Sequence, residues 1–361
     1  MNTTQNLDRR GFIKAAGYGV GAAGLVGALV DDVAAQQERQ AARPRSEKEK
    51  LAQIASNTWP LRALFKRAGA NPNPRADEMK KKYGEITMLD MPQFTKDTFP
   101  GVTHMDLFSG LFGDVTDDSM YVANPSGRGR EFDPSSASGR KWLETLTNKM
   151  EATGTKCQHI SNNAPRDLSA LEPERRKVGI EVAKKWLDAG KIIGAKSMRV
   201  NSGGPRIAPP AVAAAGDYPK ADELAQYIGA CIESLKELAE YGGNAGVKVT
   251  LENHWGLTAS PMNIRAILDE VAHPFCEASP DFCNWEHEYL LYHGLKALAP
   301  YAHTNVHAKY WDRWKENDIR RSVKIMLEAG FTGTFALEYE DGPWDGVEGS
   351  KYLYREVLAA F

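Results

Sequence analysis

Eight short apolar runs, separated by stretches with the three- and four-residue spacing of amphipathic helices, fill the chain from Leu51 to its C-terminus. The runs are Ile54–Thr58, Val102–Asp106, Thr155–Ser161, Ala195–Asn201, Val247–Glu252, Cys276–Asp281, Ala302–Lys309 and Thr334–Tyr339. Strands that alternate with helical patterns imply a parallel sheet, because a parallel pair needs a connection long enough to hold a helix. Eight such units predict an α/β fold closed into a (β/α)₈ barrel. An open doubly wound sheet is the alternative. No Gly-x-Gly-x-x-Gly or phosphate-binding loop follows any of the runs, which weakens it.

The helical stretches carry their own signals. Leu224, Ile228, Cys231, Leu235 and Leu238 form one apolar stripe, and Gly242 with Gly243 predicts a stop. Ser260-Pro261 has the composition of an N-cap followed by proline at the first helical position. Asp318 to Leu327 predicts another amphipathic helix, ended by Gly330. Between the first two runs, Pro60 to Pro100 is a Lys-rich excursion longer than a simple connection needs. The domain organisation expected is a barrel over residues 51–361, preceded by a solvated linker over 36–50, rich in Gln, Glu, Arg and Lys.

The first 35 residues have the pattern of an address. Asp8-Arg9-Arg10-Gly11-Phe12-Ile13-Lys14 opens an apolar, Gly- and Ala-rich stretch from Ala15 to Val30, followed by Val33-Ala34-Ala35. A basic segment, a moderate apolar segment and a small-residue cleavage site make a secretory signal, and the paired arginines resemble the twin-arginine (Tat) consensus. Cleavage is expected after Ala35, with the Tat export machinery as partner and a periplasmic or otherwise exported destination. The apolar stretch is short for about 30 Å of hydrocarbon, so stable membrane insertion is not expected. Lys and Arg number 45 against 47 Asp and Glu, a net charge of −2. Without a basic excess there is no electrostatic reason to expect a nucleic-acid partner.

Chemistry concentrates where strands end, which in such a barrel is the active face. The fifth run closes Leu251-Glu252-Asn253-His254, and the sixth Pro280-Asp281-Phe282-Cys283-Asn284-Trp285. The seventh contains Val306-His307-Ala308-Lys309, and the eighth Leu337-Glu338-Tyr339-Glu340. In this order and spacing the four segments resemble the xylose isomerase-like TIM barrels, a superfamily of sugar phosphate isomerases and epimerases. The motifs cover the C-terminal half, while the N-terminal half matches only in its rhythm. The resemblance implies one divalent metal held by Glu252, Asp281, His307 and Glu338. It also implies that Glu252 and Glu338 face each other across a sugar as the catalytic proton-transfer pair. Barrels of this kind often associate, so a homo-oligomer is a further expectation.

The residue types agree with that ligand set. Three carboxylates and an imidazole make a mostly oxygen site, suiting Mn²⁺ first and Mg²⁺ or Co²⁺ after it. Such a cation would polarise a sugar carbonyl and favour an enediolate. Asp281 follows Pro280, which disturbs a strand, so Asn284 and Glu277 stay open as its replacements. Alternation along a strand puts His254 on the face of Glu252, Lys309 on that of His307 and Glu340 on that of Glu338. His254, Lys309 and Arg199 are the candidate substrate contacts. Trp255, Trp285, Trp311, Trp314 and Trp344 follow the later strands, where they either stack on a sugar or pack long loops.

The function expected is an exported, metal-dependent isomerase or epimerase of a non-phosphorylated sugar or sugar derivative, since sugar phosphates are scarce outside the cytoplasm. A lyase that eliminates the aglycone of a 3-keto-glycoside is the alternative enzyme. A sugar-binding protein on a degenerate barrel is the alternative without catalysis. An apurinic-site endonuclease ranks below all of these, because the chain has eight histidines, few at strand ends, and no basic groove composition.

Overall fold

The computed structural model describes residues 45–66, 73–124, 129–205 and 221–361. The expected export signal, its cleavage site and most of the expected linker therefore lie outside the described residues. Glu47–Phe361 forms one unit. Its first helix, α1 (Glu47–Leu51), takes in the last residues of the expected linker.

All eight apolar runs become strands of one parallel sheet: β1 (Ile54–Asn57), β2 (His104–Phe108), β5 (Lys156–Ser161), β6 (Ser197–Arg199), β7 (Lys248–Leu251), β8 (Cys276–Ala278), β9 (Asn305–Trp311) and β10 (Thr334–Asp341). A short antiparallel hairpin, β3 (Tyr121–Ala123) and β4 (Arg130–Phe132), is inserted after β2 and was not anticipated. The spatial order β8-β7-β6-β5-β2-β1-β10-β9 follows the chain around a ring. The ring closes just beyond β8, where the His307 amide donates to the Pro280 carbonyl at 3.1 Å and the Phe282 amide to the His307 carbonyl at 3.1 Å. The chain is thus a (β/α)₈ barrel, and the disturbance expected at Pro280 falls at its seam.

Helices cover the outside: α2 (Pro74–Tyr83), α3 (Met91–Thr98), α4 (Ala137–Thr153), α5 (Pro173–Ile193), α6 (Ala221–Ala245), α7 (Pro261–Val271), α8 (Leu290–Leu298), α9 (Ile319–Glu328) and α10 (Gly346–Ala360). The excursion between the first two strands holds α2 and α3. None of the helices of the described residues is long and apolar enough to cross a membrane. Ser260 takes the N-cap position of α7, but its side chain makes no capping hydrogen bond. Asp318 caps α9 as a true acceptor, from the Arg321 amide.

The expected stop at Gly242 and Gly243 is displaced. Helix α6 runs on to Ala245, and Gly246, at φ 76°, turns the chain out of it. Gly242 serves packing instead. A Cβ there would lie 2.5 Å from the Val247 carbonyl oxygen, so only glycine lets the helix lie this close to the start of β7.

Strand alternation decides what the barrel holds. Val306 and Ala308 of β9, and Phe335 and Leu337 of β10, belong to the apolar core between sheet and helices. Their alternates, Asn305, His307 and Lys309 on β9 and Glu338 on β10, are polar yet buried. Parallel strands covered on one face and filled on the other are hidden on both. Here the filling includes ionisable groups, which burial penalises unless they find partners.

Candidate metal centre

Four strand ends converge on one ring nitrogen. His307 Nδ1 lies 3.1 Å from Glu252 Oε2, 3.6 Å from Glu338 Oε2 and 3.9 Å from Asp281 Oδ2. Glu252 follows β7, Asp281 sits at the seam after β8, His307 is on β9 and Glu338 on β10. All four are buried. The register explains the meeting: Asp281 bridges His307, and His307 pairs with Ala336, two residues before Glu338 on the same face.

Each carboxylate is held differently. Glu252 Oε2 accepts from Arg199 Nη1 at 2.5 Å, and its Oε1 accepts from Asn284 Nδ2 at 2.9 Å. Glu338 Oε1 accepts from Lys309 Nζ at 2.9 Å, and its Oε2 from Asn57 Nδ2 at 3.3 Å. Asp281 Oδ1 accepts the amides of Cys283 and Asn284 at 2.6 and 2.8 Å. Asn253 clamps the same segment, its side chain accepting from the Asp281 amide at 2.7 Å and donating to the Asp281 carbonyl at 2.9 Å. The alternatives to Asp281 are otherwise engaged. Asn284 is the donor to Glu252, and Glu277 is spent on Lys248 and the Thr304 amide.

Two buried atoms in the cluster lack hydrogen-bond partners: Asp281 Oδ2 and His307 Nδ1. Asp281 Oδ2 has Lys309 Nζ as its closest charged neighbour, 3.6 Å away, and His307 Nδ1 has the Glu252 carboxylate, 3.1 Å away. Buried polar atoms without hydrogen bonds are costly unless something binds them. Glu252, Asp281 and His307 each offer one ligand atom within 4.8 Å of the others. The donor set therefore fits a divalent cation that accepts oxygen and imidazole ligands.

Asp106, in the middle of β2, was not anticipated as a site residue. It is fully buried, and its Oδ2 accepts from His307 Nε2 at 2.9 Å and Asn305 Nδ2 at 3.0 Å, while Oδ1 accepts from Ser161 Oγ at 2.7 Å. A carboxylate on Nε2 fixes the tautomer in which Nδ1 presents its lone pair to a metal. Burial alone would raise the Asp106 pKa, but His159 and His307 outweigh it and hold the carboxylate below its usual range. His159, on β5, shares this buried corner and bonds through Nδ1 to Ser197 Oγ at 2.8 Å. The Asp106→Asn variant is expected to keep the fold and weaken divalent-metal affinity by about 10- to 100-fold, read by calorimetric titration.

The protonation of the cluster follows from burial set against ion pairing. Burial pushes Asp281 up, to about 7, with the neighbouring carboxylates adding to it. For His307 burial acts downward, but Glu252, Glu338 and Asp106 outweigh it and hold the imidazole well above its ordinary value. Burial would likewise raise Glu252, yet Arg199 and His307 keep it well below the carboxylate range. Against the same effect of burial, Lys309 and His307 hold Glu338 below its usual value.

A cavity of about 180 Å³ opens over the cluster, lined among others by Arg199, His254, Lys309 and Glu338. Glu338 lines it and Glu252 does not, so the two candidate bases differ in access. The three expected substrate contacts all border this space, but with different freedom. Lys309 is engaged by Glu338 and by Glu340, each at 2.9 Å. Arg199 is engaged by Glu252 and by Asn163 Oδ1 at 2.7 Å. Burial drives His254 down to about 4, leaving it neutral at pH 7. Of the five tryptophans, Trp255 and Trp311 line the cavity, as does Trp59 after β1, which the sequence reading did not single out. Trp285 is core, Trp314 bonds the Cys283 carbonyl, and Trp344 stacks on Tyr352.

The chain belongs to the xylose isomerase-like TIM barrel family, whose profile matches residues 120–359. No curated protein sequence matches it at a significant level. Among solved structures it is similar to the 3-keto-D-glucoside 4-epimerase of E. coli, with a TM-score of 0.55 and 13% identity over 84% of this chain and 99% of that one. It is similar to a xylose isomerase-like TIM barrel protein of Mycobacterium smegmatis in complex with magnesium, with a TM-score of 0.53 and 17% identity over 86% and 98%. A D-allulose 3-epimerase from Methylomonas gives 0.54 and 12% identity over 86% and 98%. At such identities the likeness is one of fold.

Proposed function

We propose that the chain is an exported, divalent-metal-dependent enzyme that isomerises or epimerises a non-phosphorylated sugar or sugar derivative. The observation that carries this is the meeting of Glu252, Asp281, His307 and Glu338, two of whose buried atoms make no hydrogen bond, at the floor of a small cavity. Drug-sized ligands bind in pockets of roughly 300–1,000 Å³, larger than the space directly over the cluster. A neutral substrate is supported by charge: the cations lining the cavity, Arg199 and Lys309, are each already paired with carboxylates. Export is proposed on residues 8–35, and sugar epimerases among the proteins of similar fold support the substrate class.

The cation, Mn²⁺ by preference, would polarise a sugar carbonyl and its neighbouring hydroxyl. Glu252, Asp281, His307 and Glu338 would hold it. Glu338 reaches the cavity and moves the proton on the carbon next to the carbonyl, with Lys309 holding Oε1 in place. One base suffices to interconvert an aldose and a ketose on one face. Inversion of a stereocentre needs a second group on the opposite face, and Glu252 would take that role only where the sugar reaches past the cavity lining, which Glu252 does not join. His254, Trp255 and Trp311 wall the sugar and keep water from the carbanion.

Metal binding tests the first half of this reading. Asp281 and His307 both bind protons more tightly than usual without metal, and both must release them to coordinate it. Apparent affinity should therefore rise with pH and be lost as pH falls through about 7, by about tenfold per unit for each proton displaced. Calorimetric titration of residues 36–361 with Mn²⁺ between mildly acidic and mildly alkaline pH reads this. No uptake at any pH would leave the sugar-binding protein as the better reading. Incubation of sugars and keto-glycosides in deuterated water tests the second half: a product of conserved skeleton carrying one deuterium supports isomerisation or epimerisation.

A product split in two would support the lyase acting on a 3-keto-glycoside. One observation favours keeping that reading: a second cavity adjoins the space over the metal cluster, with Trp59 and Phe108 lining both.

A further inference from the structure

The second cavity has a volume of about 430 Å³, and nothing in the reaction proposed above uses it. Trp59 and Phe108 line both spaces, so the two lie side by side at these rings. The rings meet edge to face with centroids 5.0 Å apart. Beyond them the wall has an apolar side, formed by Met88, Leu111, Phe112 and Tyr121. Tyr121 belongs to the β3–β4 hairpin, and Leu111 and Phe112 to the loop before it, an insertion that closing the barrel does not require.

The Trp59 ring is a fixed platform. Its Nε1 donates to Glu340 Oε2 at 2.7 Å, and its backbone amide donates to Asn57 Oδ1 at 2.7 Å. Glu340 also pairs with Lys309, and Asn57 donates to Glu338, so this platform and the proton-moving glutamate hang on one network. Three cations and one carboxylate also line it: Arg62, Lys66, Arg130 and Asp114, whose carboxylate is held below its usual range by Thr116 and, in part, by Lys66. Arg62 lies 4.1 Å over the Trp59 ring and 3.6 Å from Glu340. Arg130 pairs with Asp118 and lies 4.3 Å over Tyr121. An aromatic wall with engaged cations suits the face of a neutral ring better than an anion.

We propose that this cavity is a subsite for the aglycone of a glycoside: a neutral ring with an apolar face, joined to the sugar held over the metal cluster. The proposal rests on the sugar reading given above and extends it from one ring to two. The occupant is either a second pyranose or an aromatic ring, which share an apolar face.

The test is calorimetric titration of the Mn²⁺-supplemented protein with D-glucose, cellobiose and phenyl β-D-glucopyranoside. Wild type is compared with Leu111→Trp and, should that variant fold poorly, with Val115→Trp at the cavity edge. In wild type at least one two-ring ligand should bind about tenfold more tightly than glucose, the scale of one well-placed aromatic contact plus the area it covers. Filling the cavity should erase that gain and leave glucose affinity unchanged. A gain for cellobiose alone assigns the subsite to a second sugar, and a gain for the phenyl glycoside alone to an aromatic aglycone. Equal affinity for one and two rings, or a gain that survives both tryptophan variants, overturns the subsite while the sugar reading stands. Binding of none of the three overturns both.

Discussion

The Glu338→Gln variant is expected to keep the fold and lose turnover by about 10²- to 10⁴-fold, the range removed with a general base. Metal binding weakens as well, because the amide nitrogen takes the place of the oxygen facing His307 Nδ1, so turnover is compared at saturating Mn²⁺. Glutamine keeps the shape of the side chain and an oxygen that accepts from Lys309 Nζ, so the contact now at 2.9 Å survives. The other end fares slightly worse. Asn57 Nδ2, 3.3 Å away, would face a second donor, and it cannot turn over because its own Oδ1 accepts from the Trp59 amide. That is a modest loss for the fold. Proton transfer is different in kind, since an amide cannot accept the proton of a sugar carbon. Deuterium incorporation from solvent into the sugar that wild type turns over reads the step directly, and metal titration of the same preparation separates chemistry from binding. Unchanged incorporation would remove Glu338 from proton transfer and leave it a ligand at most.

How much of this was legible without coordinates differs along the chain. The strands of the barrel could be read because buried parallel strands are short apolar runs, and the intervening helices announce themselves by period. Glu252, Asp281, His307 and Glu338 could be named because the four segments that carry them resemble the family's ligand motifs, and their residue types agree with that set. Asp106 was not found, although a carboxylate closing an apolar run was a visible oddity. Its partner His307 is 201 positions away, and only the closed ring brings them together. Lys309 was assigned to substrate on strand alternation alone. That assignment lacked the two carboxylates of β10 and the one at the seam that engage it from neighbouring strands. Gly242 had the composition of a stop signal, whereas its missing side chain is needed for contact with β7. In each case local pattern located the residue, and contacts across the ring decided what it does.

The Glu252→Gln variant is expected to lose both metal and stability, and the two losses have separable causes. Glu252 is the partner of Arg199, with side chains 1% and 7% exposed. Removing the carboxylate charge leaves Arg199 with neutral acceptors, the Asn163 side chain and the Asn162 carbonyl. Breaking a buried pair from one side costs about 3–5 kcal/mol, most of it the uncompensated charge left behind. Removing both charges avoids that penalty, so the double variant Glu252→Gln with Arg199→Met should recover most of the stability in urea denaturation. It should not recover the metal, because the site still lacks one of its carboxylates beside His307 Nδ1. Stability restored without metal uptake would assign Glu252 two distinct tasks: neutralising Arg199 and holding the cation. Metal uptake at wild-type affinity in the double variant would mean that Asp281, His307 and Glu338 suffice. Glu252 would then serve to fix Arg199 at the cavity wall, and inversion at a sugar carbon would need a different second base.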